Sequence, residues 1–98
     1  MRLTQFEIDS IKHTFLEVFY AGKIYLFGSR VDDAKKGGDI DLYLELDKSF
    51  SVEELMHAKI KFKLKLYELI GEQKIDIVVA KDKNRSIEKE IMKNGILL

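Results

Sequence analysis

The segment 26–44 constrains the fold of this chain more than any other part of it. An apolar run ends in a turn formed by Gly28 and Ser29, a polar loop follows, and a second apolar run begins with Asp39 and Asp41. Successive side chains of a β-strand point to opposite faces, so these two aspartates project from one face of the second strand. The segment predicts two strands joined by a loop, with a pair of carboxylates where the second strand begins.

This pair of carboxylates is a candidate metal site. Asp39 and Asp41 repel each other unless something positive lies between them. Hard divalent cations such as magnesium accept carboxylate oxygens and keep positions open for phosphates. The alternative is that the pair faces water, and an Asp-x-Asp sequence by itself favours that alternative.

A third aspartate favours the metal site. Asp76 lies in the middle of an otherwise apolar segment, 73–80, where a carboxylate is costly unless it is paired or bound to metal. If the strand that contains Asp39 and Asp41 is a neighbour of the strand that contains Asp76, the three carboxylates converge on one face. Such a cluster can hold two magnesium ions, bind a nucleoside triphosphate and activate an incoming hydroxyl. In the alternative interpretation, Asp76 is solvated on an edge strand.

The turn between the strands suits a phosphate. Gly28 permits close approach to the backbone, and N–H groups at the start of a following helix bind anions. Ser29 can donate its hydroxyl to a phosphate oxygen, and Arg30 can pair with a phosphate as a bidentate donor. The alternative is an ordinary strand-ending turn followed by a surface arginine. Neither the P-loop nor the dinucleotide-binding glycine pattern is present in the sequence.

Hydrophobic spacing and turn residues predict three helices and three strands. Thr4 with Glu7, and Ser51 with Glu54, form the pattern of a helix capping box. In chain order, the predicted elements are helix 4–22 with its caps, strand 23–27, strand 39–45, helix 51–70, strand 73–80 and helix 85–93. This order predicts an α/β (α+β) domain with a small three-stranded mixed sheet flanked by helices.

The segment 59–66 carries two conflicting patterns. Lysines alternate with apolar residues, as in a strand, but the capping box before it and its strong helix formers favour a helix. In that helix Lys59 and Lys63 fall within the apolar arc, one turn apart. They either reach a bound triphosphate, or they lay their stems on the core and extend their ammonium groups into water.

Composition limits the class of function. Lys+Arg and Asp+Glu are equal at 17 each, so the chain lacks the basic excess of a protein that binds nucleic-acid backbones. The absence of cysteine excludes disulfides and thiolate zinc sites, and it makes the cytoplasm the expected compartment. No apolar run is long enough to span a bilayer. At 98 residues we expect one domain, 1–98.

Together these residues resemble the nucleotidyltransferase superfamily that includes DNA polymerase β, whose pattern is Gly-Ser followed by Asp-x-Asp. More narrowly, the chain resembles the minimal nucleotidyltransferase (MNT) family, the antitoxins of HEPN/MNT toxin–antitoxin pairs. The resemblance covers nearly the whole chain and rests on segments 26–30, 38–42 and 74–78. Nine residues, 30–38, separate Ser29 from Asp39. This is one fewer than in the common form, and a loop absorbs such a deletion easily.

The resemblance implies the minimal polymerase β-like fold and Mg-dependent transfer of AMP from ATP to an acceptor hydroxyl, with release of pyrophosphate. Gly28 and Ser29 would hold the triphosphate. Asp39 and Asp41 would bind two magnesium ions, and Asp76 would bind the catalytic ion and help deprotonate the acceptor. The acceptor is implied to be a tyrosine of a partner HEPN ribonuclease toxin, which makes the chain a type VII-like antitoxin.

Two other functions stay open. A transferase-shaped antitoxin can neutralise its toxin by binding alone, although the three aspartates favour an enzyme. Transfer to a small molecule such as an aminoglycoside usually needs a further domain to grip the acceptor. The sequence leaves undecided the acceptor, the base of the nucleotide, and whether the protein forms a homo- or hetero-oligomer.

Overall fold

Three helices and four strands make up the part of the chain described by a computed structural model, residues 3–28, 39–81 and 85–98. In chain order they are α1 (Gln5–Phe19), β1 (Gly22–Phe27), β2 (Ile40–Leu46), α2 (Val52–Ile70), β3 (Ile75–Val79), α3 (Ser86–Asn94) and β4 (Ile96–Leu97). The three predicted helices and three predicted strands are confirmed, with small shifts at their ends. The predicted strand number is wrong, because Ile96 and Leu97 pair with β1 as a fourth strand.

Both predicted capping boxes are present. In α1, Thr4 Oγ1 accepts a hydrogen bond from the Glu7 N–H at 3.1 Å, and Glu7 Oε1 accepts one from the Thr4 N–H at 2.9 Å. The same two bonds join Ser51 and Glu54 at the start of α2. The whole of 59–66 is helical, so the capped start and the helix-forming residues outweigh the alternating pattern.

The sheet has the strand order β3-β2-β1-β4. β2 pairs with β3 in parallel, whereas β1 is antiparallel to both β2 and β4. α1 and α2 pack against one face, where their buried side chains meet those of the strands in a single core. Because β3 is the first strand in this order, it lies at an edge of the sheet. No helix among the described residues is both long and apolar enough to cross a membrane.

The second face of the sheet is partly covered by α3. Residues of β2 alternate between the core and this face, and Tyr43 is fully buried there. The Tyr43 hydroxyl donates to Glu88 Oε1 of α3 at 2.8 Å. Asp41 lies two residues before Tyr43 on the same face and is half-buried. Among the described residues, α3 thus covers the middle of this face and leaves the start of β2 partly exposed.

Candidate active site

β2 and β3 bring two of the predicted acidic residues side by side. The register of the parallel pair places Asp41 directly opposite Asp76, and paired residues of neighbouring strands project from the same face. Asp39 precedes β2 by one residue, and alternation places it on that face as well. Its charge acts on Asp41. The three aspartates therefore lie together at one end of one face.

The environment of Asp41 makes its charged form unfavourable. Burial is the largest cause that raises the pKa of Asp41, followed by the negative charges of Asp76 and Asp39 and by a side-chain hydrogen bond with Asp76. Lys74 opposes these effects by a smaller amount. A carboxyl held in this state gains from a bound cation, because the positive charge offsets both the burial and the repulsion.

The chemistry of this donor set fits a hard divalent cation, since all three side chains offer carboxylate oxygens. The three carboxylates do not form a complete metal-binding geometry. Within 3–28, 39–81 and 85–98, no three His, Cys, Asp or Glu side chains stand in a geometry that could hold a metal ion. Asp39 Oδ2 instead lies 3.5 Å from the Lys74 ammonium nitrogen. Of the other two aspartates, Asp76 acts more strongly on Asp41 than Asp39 does, and Asp76 also forms a side-chain hydrogen bond with Asp41.

Asp76 is exposed to solvent, so the argument that a buried carboxylate needs a partner does not hold for it. β3 is the last strand on its side of the sheet, and Asp76 points away from the core while Ile75 and Ile77 point into it. The alternative interpretation of Asp76 as a solvated edge-strand residue is correct in these two respects. What singles Asp76 out is its position opposite Asp41.

Gly28 lies against Asp41 at the end of β1. Its φ is +78°, a left-handed conformation that favours glycine, and a Cβ at this position would overlap Oδ2 of Asp41. A group does approach the Gly28 backbone closely, as predicted, and that group is the carboxylate of Asp41. Two other predicted phosphate ligands, Ser29 and Arg30, lie outside the described residues.

Lys59 and Lys63 line a groove between α2 and the edge of β3. Neither Gly28 nor any of the three aspartates is among its lining residues. The groove includes Glu45 near the end of β2, about 13 Å along the strand from Asp41 at roughly 3.3 Å per residue. The two lysines thus belong to a different surface from the carboxylates.

Two charged residues next to the site were not singled out from the sequence. Lys74 precedes Asp76 by two residues, and strand alternation alone would have placed it on the same face. Glu88 is fully buried on α3, where its Oε1 accepts hydrogen bonds from Tyr43 and from the Lys81 N–H. Arg85 Nε lies 3.0 Å from Glu88 Oε2. No local pattern distinguishes this glutamate from the exposed ones around it.

Comparison with known proteins finds a family match over most of the chain. A family model described as "Polymerase beta, Nucleotidyltransferase" matches residues 9–98. The matched range contains Gly28 and the three aspartates as well as all four strands. A search of curated proteins finds no significant match.

Proposed function

Because the chain belongs to the polymerase beta nucleotidyltransferase family, we propose that it transfers AMP from ATP to a protein hydroxyl with magnesium ions. Membership of this family identifies the chain as a nucleotidyltransferase. The identities of the nucleotide donor, the metal ion and the acceptor are what we propose. The acceptor is a tyrosine of a partner HEPN toxin, whose modification silences the toxin, so the chain acts as a type VII-like antitoxin. The reaction is assigned to the cytoplasm, where ATP is available.

The register pair of Asp41 and Asp76 carries this proposal. The two carboxylates belong to different strands and meet on one face, with Asp39 next to them. We assign Asp39 and Asp41 to two magnesium ions, and Asp76 to one of them. When bound, magnesium would neutralise triphosphate charge and make the acceptor hydroxyl easier to deprotonate.

The residues around the pair have separate roles in the proposed reaction. Gly28 lets the Asp41 carboxylate lie against the turn that ends β1, so a triphosphate held by Gly28 and Ser29 would lie next to the carboxylates. Arg30 is assigned to the same phosphates. Asp76 is exposed on the edge strand. An acceptor as large as a folded protein can therefore bring a tyrosine hydroxyl to Asp76, which accepts its proton.

The decisive experiment combines the purified protein, its partner toxin, magnesium and ATP labelled on the α-phosphate. We expect label on the toxin, and we expect Asp41→Asn to lower the rate of labelling by at least about 100-fold, because even outer contacts of metal sites contribute 10- to 100-fold. Asp47→Asn is the matched control, since Asp47 is an exposed aspartate just after the far end of β2. EDTA should abolish labelling.

Neutralisation of the toxin separates transfer from masking. If Asp41→Asn still binds the toxin but leaves its ribonuclease activity intact, the toxin is controlled by modification. If Asp41→Asn and the native protein neutralise the toxin equally well, the antitoxin acts by binding alone and the proposed transfer is wrong. Replacing the labelled tyrosine of the toxin by phenylalanine should also remove both the label and the protection.

A further inference from the structure

α2 carries apolar side chains that the core does not use. Val52, Met56 and Ile60 follow one another at four-residue spacing and are 84%, 54% and 52% exposed. They lie on the flank of α2 away from α1, since Lys65 on the other flank contacts Glu17 of α1 at 2.7 Å. We call these three residues the α2 stripe.

The α2 stripe forms one wall of an open groove of about 980 Å³. The opposite wall is the edge of β3 and the two residues after it, since five consecutive residues, 77–81, line the groove. These residues include side chains from both faces of the sheet, so the groove runs along the strand edge itself. We call it the α2–β3 groove.

The edge of β3 offers backbone groups to this groove. The Ala80 N–H donates to the Leu44 carbonyl of β2 at 2.8 Å. Successive N–H groups of a strand point to opposite sides, so those of Ile77 and Val79 point away from β2 and into the groove. The one charged residue of β3 is Asp76, which does not line the groove. β3 contains neither lysine nor proline, which commonly protect an exposed edge from pairing.

The charges of the groove are unbalanced. Among the residues that the structure describes, the lining contains five cations and one carboxylate, Glu45; the cations are Lys48, Lys59, Lys63, Lys81 and Arg85. Arg85 is paired with Glu88. Among the described residues, no carboxylate lies within ion-pair distance of Lys59, Lys63 or Lys81. A segment that fills the groove is therefore favoured if it brings negative charge together with apolar side chains.

We propose that the α2–β3 groove binds an extended segment of a partner protein in which apolar residues alternate with Asp or Glu. The segment pairs with the free edge of β3 and becomes a fifth strand of the described sheet, a known mode of peptide recognition. Its apolar side chains pack on the α2 stripe, and its carboxylates interact with the long lysine side chains at the rim of the groove. This inference does not depend on the transfer reaction, because the groove contains none of the proposed catalytic residues.

Amide hydrogen exchange tests the strand pairing directly. The probe is a synthetic eight-residue peptide of alternating Val and Glu, and the control peptide alternates Val and Lys. With the Glu peptide we expect exchange at Ile77 and Val79 to slow at least tenfold, because their N–H groups gain acceptors. The Ala80 N–H is already bonded to β2 and should change little. Unchanged exchange at Ile77 and Val79 at saturating peptide overturns the proposal.

Paired variants at α2 positions outside the buried core test the groove. With fluorescein-labelled Glu peptide, Met56→Glu and Lys63→Glu should each weaken binding at least tenfold in an anisotropy titration. Leu64→Glu and Lys61→Glu are the matched controls, since Leu64 is 58% exposed and neither residue lines the groove. Equal effects of groove and control variants, or no binding of the Glu peptide, contradict the proposal.

Two other occupants give different results. If the groove joins two copies of this chain, sedimentation shows a dimer that Met56→Glu dissociates, and the Glu peptide does not compete with it. If the groove holds nucleic acid, labelled oligothymidylate binds more tightly than the peptide, and Lys63→Glu weakens that binding while Met56→Glu does not. Either result overturns the assignment to an acidic peptide segment.

Discussion

Asp41 of β2 and Asp76 of β3 are register partners on parallel strands, and their carboxyl groups interact on the face of the sheet opposite the core. Two like charges in this position destabilise the folded chain unless a proton or a cation is bound. The same arrangement that weakens the fold therefore favours a bound cation. This relationship between stability and ligand binding can be measured without knowing the acceptor.

Asp41→Asn should make the protein more stable at neutral pH. The pKa of Asp41 is raised in the folded state, so its contribution to stability is largest at acid pH and declines as pH rises from the ordinary Asp value through the raised one. In thermal unfolding between pH 3 and 7, the melting temperature of the native protein should drop below that of Asp41→Asn as pH rises. At the acid end of this range the two melting temperatures should converge. A lower melting temperature of Asp41→Asn at pH 7 contradicts this.

Magnesium should raise the melting temperature of the native protein. A cation that binds only the folded state stabilises it in proportion to the logarithm of its concentration once the site is occupied. We expect a rise with millimolar MgCl₂ that EDTA reverses, and no rise for Asp41→Asn. The control is Asp47→Asn, which should respond like the native protein; an equal rise in all three proteins would indicate a general salt effect.

Gly28→Ala should be more damaging than Gly71→Ala. Both glycines have positive φ, +78° and +89°, and backbone conformations of this kind cost a residue with a Cβ about 1–3 kcal/mol. Among the described residues, a Cβ at Gly71 meets nothing within 4 Å, whereas one at Gly28 overlaps the Asp41 carboxylate. Urea unfolding should give a larger loss of stability for Gly28→Ala, and nucleotidyl transfer should fall only in that variant. Equal losses would show that Asp41 can move aside freely.

Tyr43→Phe should destabilise the protein by about 1–3 kcal/mol, because it removes a donor from the fully buried Glu88 carboxylate. Tyr25→Phe is the control. The Tyr25 ring packs beside Tyr43 at 5.9 Å between centroids, but its hydroxyl makes no hydrogen bond with the described residues. Urea unfolding of the two variants compares them. A loss as large in Tyr25→Phe would assign the effect to ring packing instead of the hydrogen bond.

Ser51→Ala should cost about 1 kcal/mol of stability by removing the side-chain cap of α2. The cap also holds the pKa of Glu54 below its ordinary value through the backbone and side chain of Ser51. A lowered carboxyl pKa contributes stability above the ordinary Glu value and loses it as pH falls. The difference between Ser51→Ala and the native protein should therefore shrink below about pH 4, the ordinary range for Glu, in thermal unfolding experiments.

Features that span more than one element were the ones that sequence reasoning missed. β4 has only two residues, too few for any alternating pattern, and it exists because β1 offers a free edge. The exposure of Asp76 follows from the position of β3 at the edge of the sheet, which depends on strand order. Glu88 is buried because α3 places it over Tyr43, a residue 45 positions earlier in the chain.

The sequence by itself determined the helices, the first three strands and the common face of Asp39 and Asp41. These features depend on caps, turns and periodicities within a few residues, so they do not depend on how distant parts of the chain pack together. Only the tertiary structure decided that Asp41 stands opposite Asp76 and that α2 leaves a groove along β3. Strand order and register are set by contacts between residues far apart in the chain, and the burial of the whole core selects them.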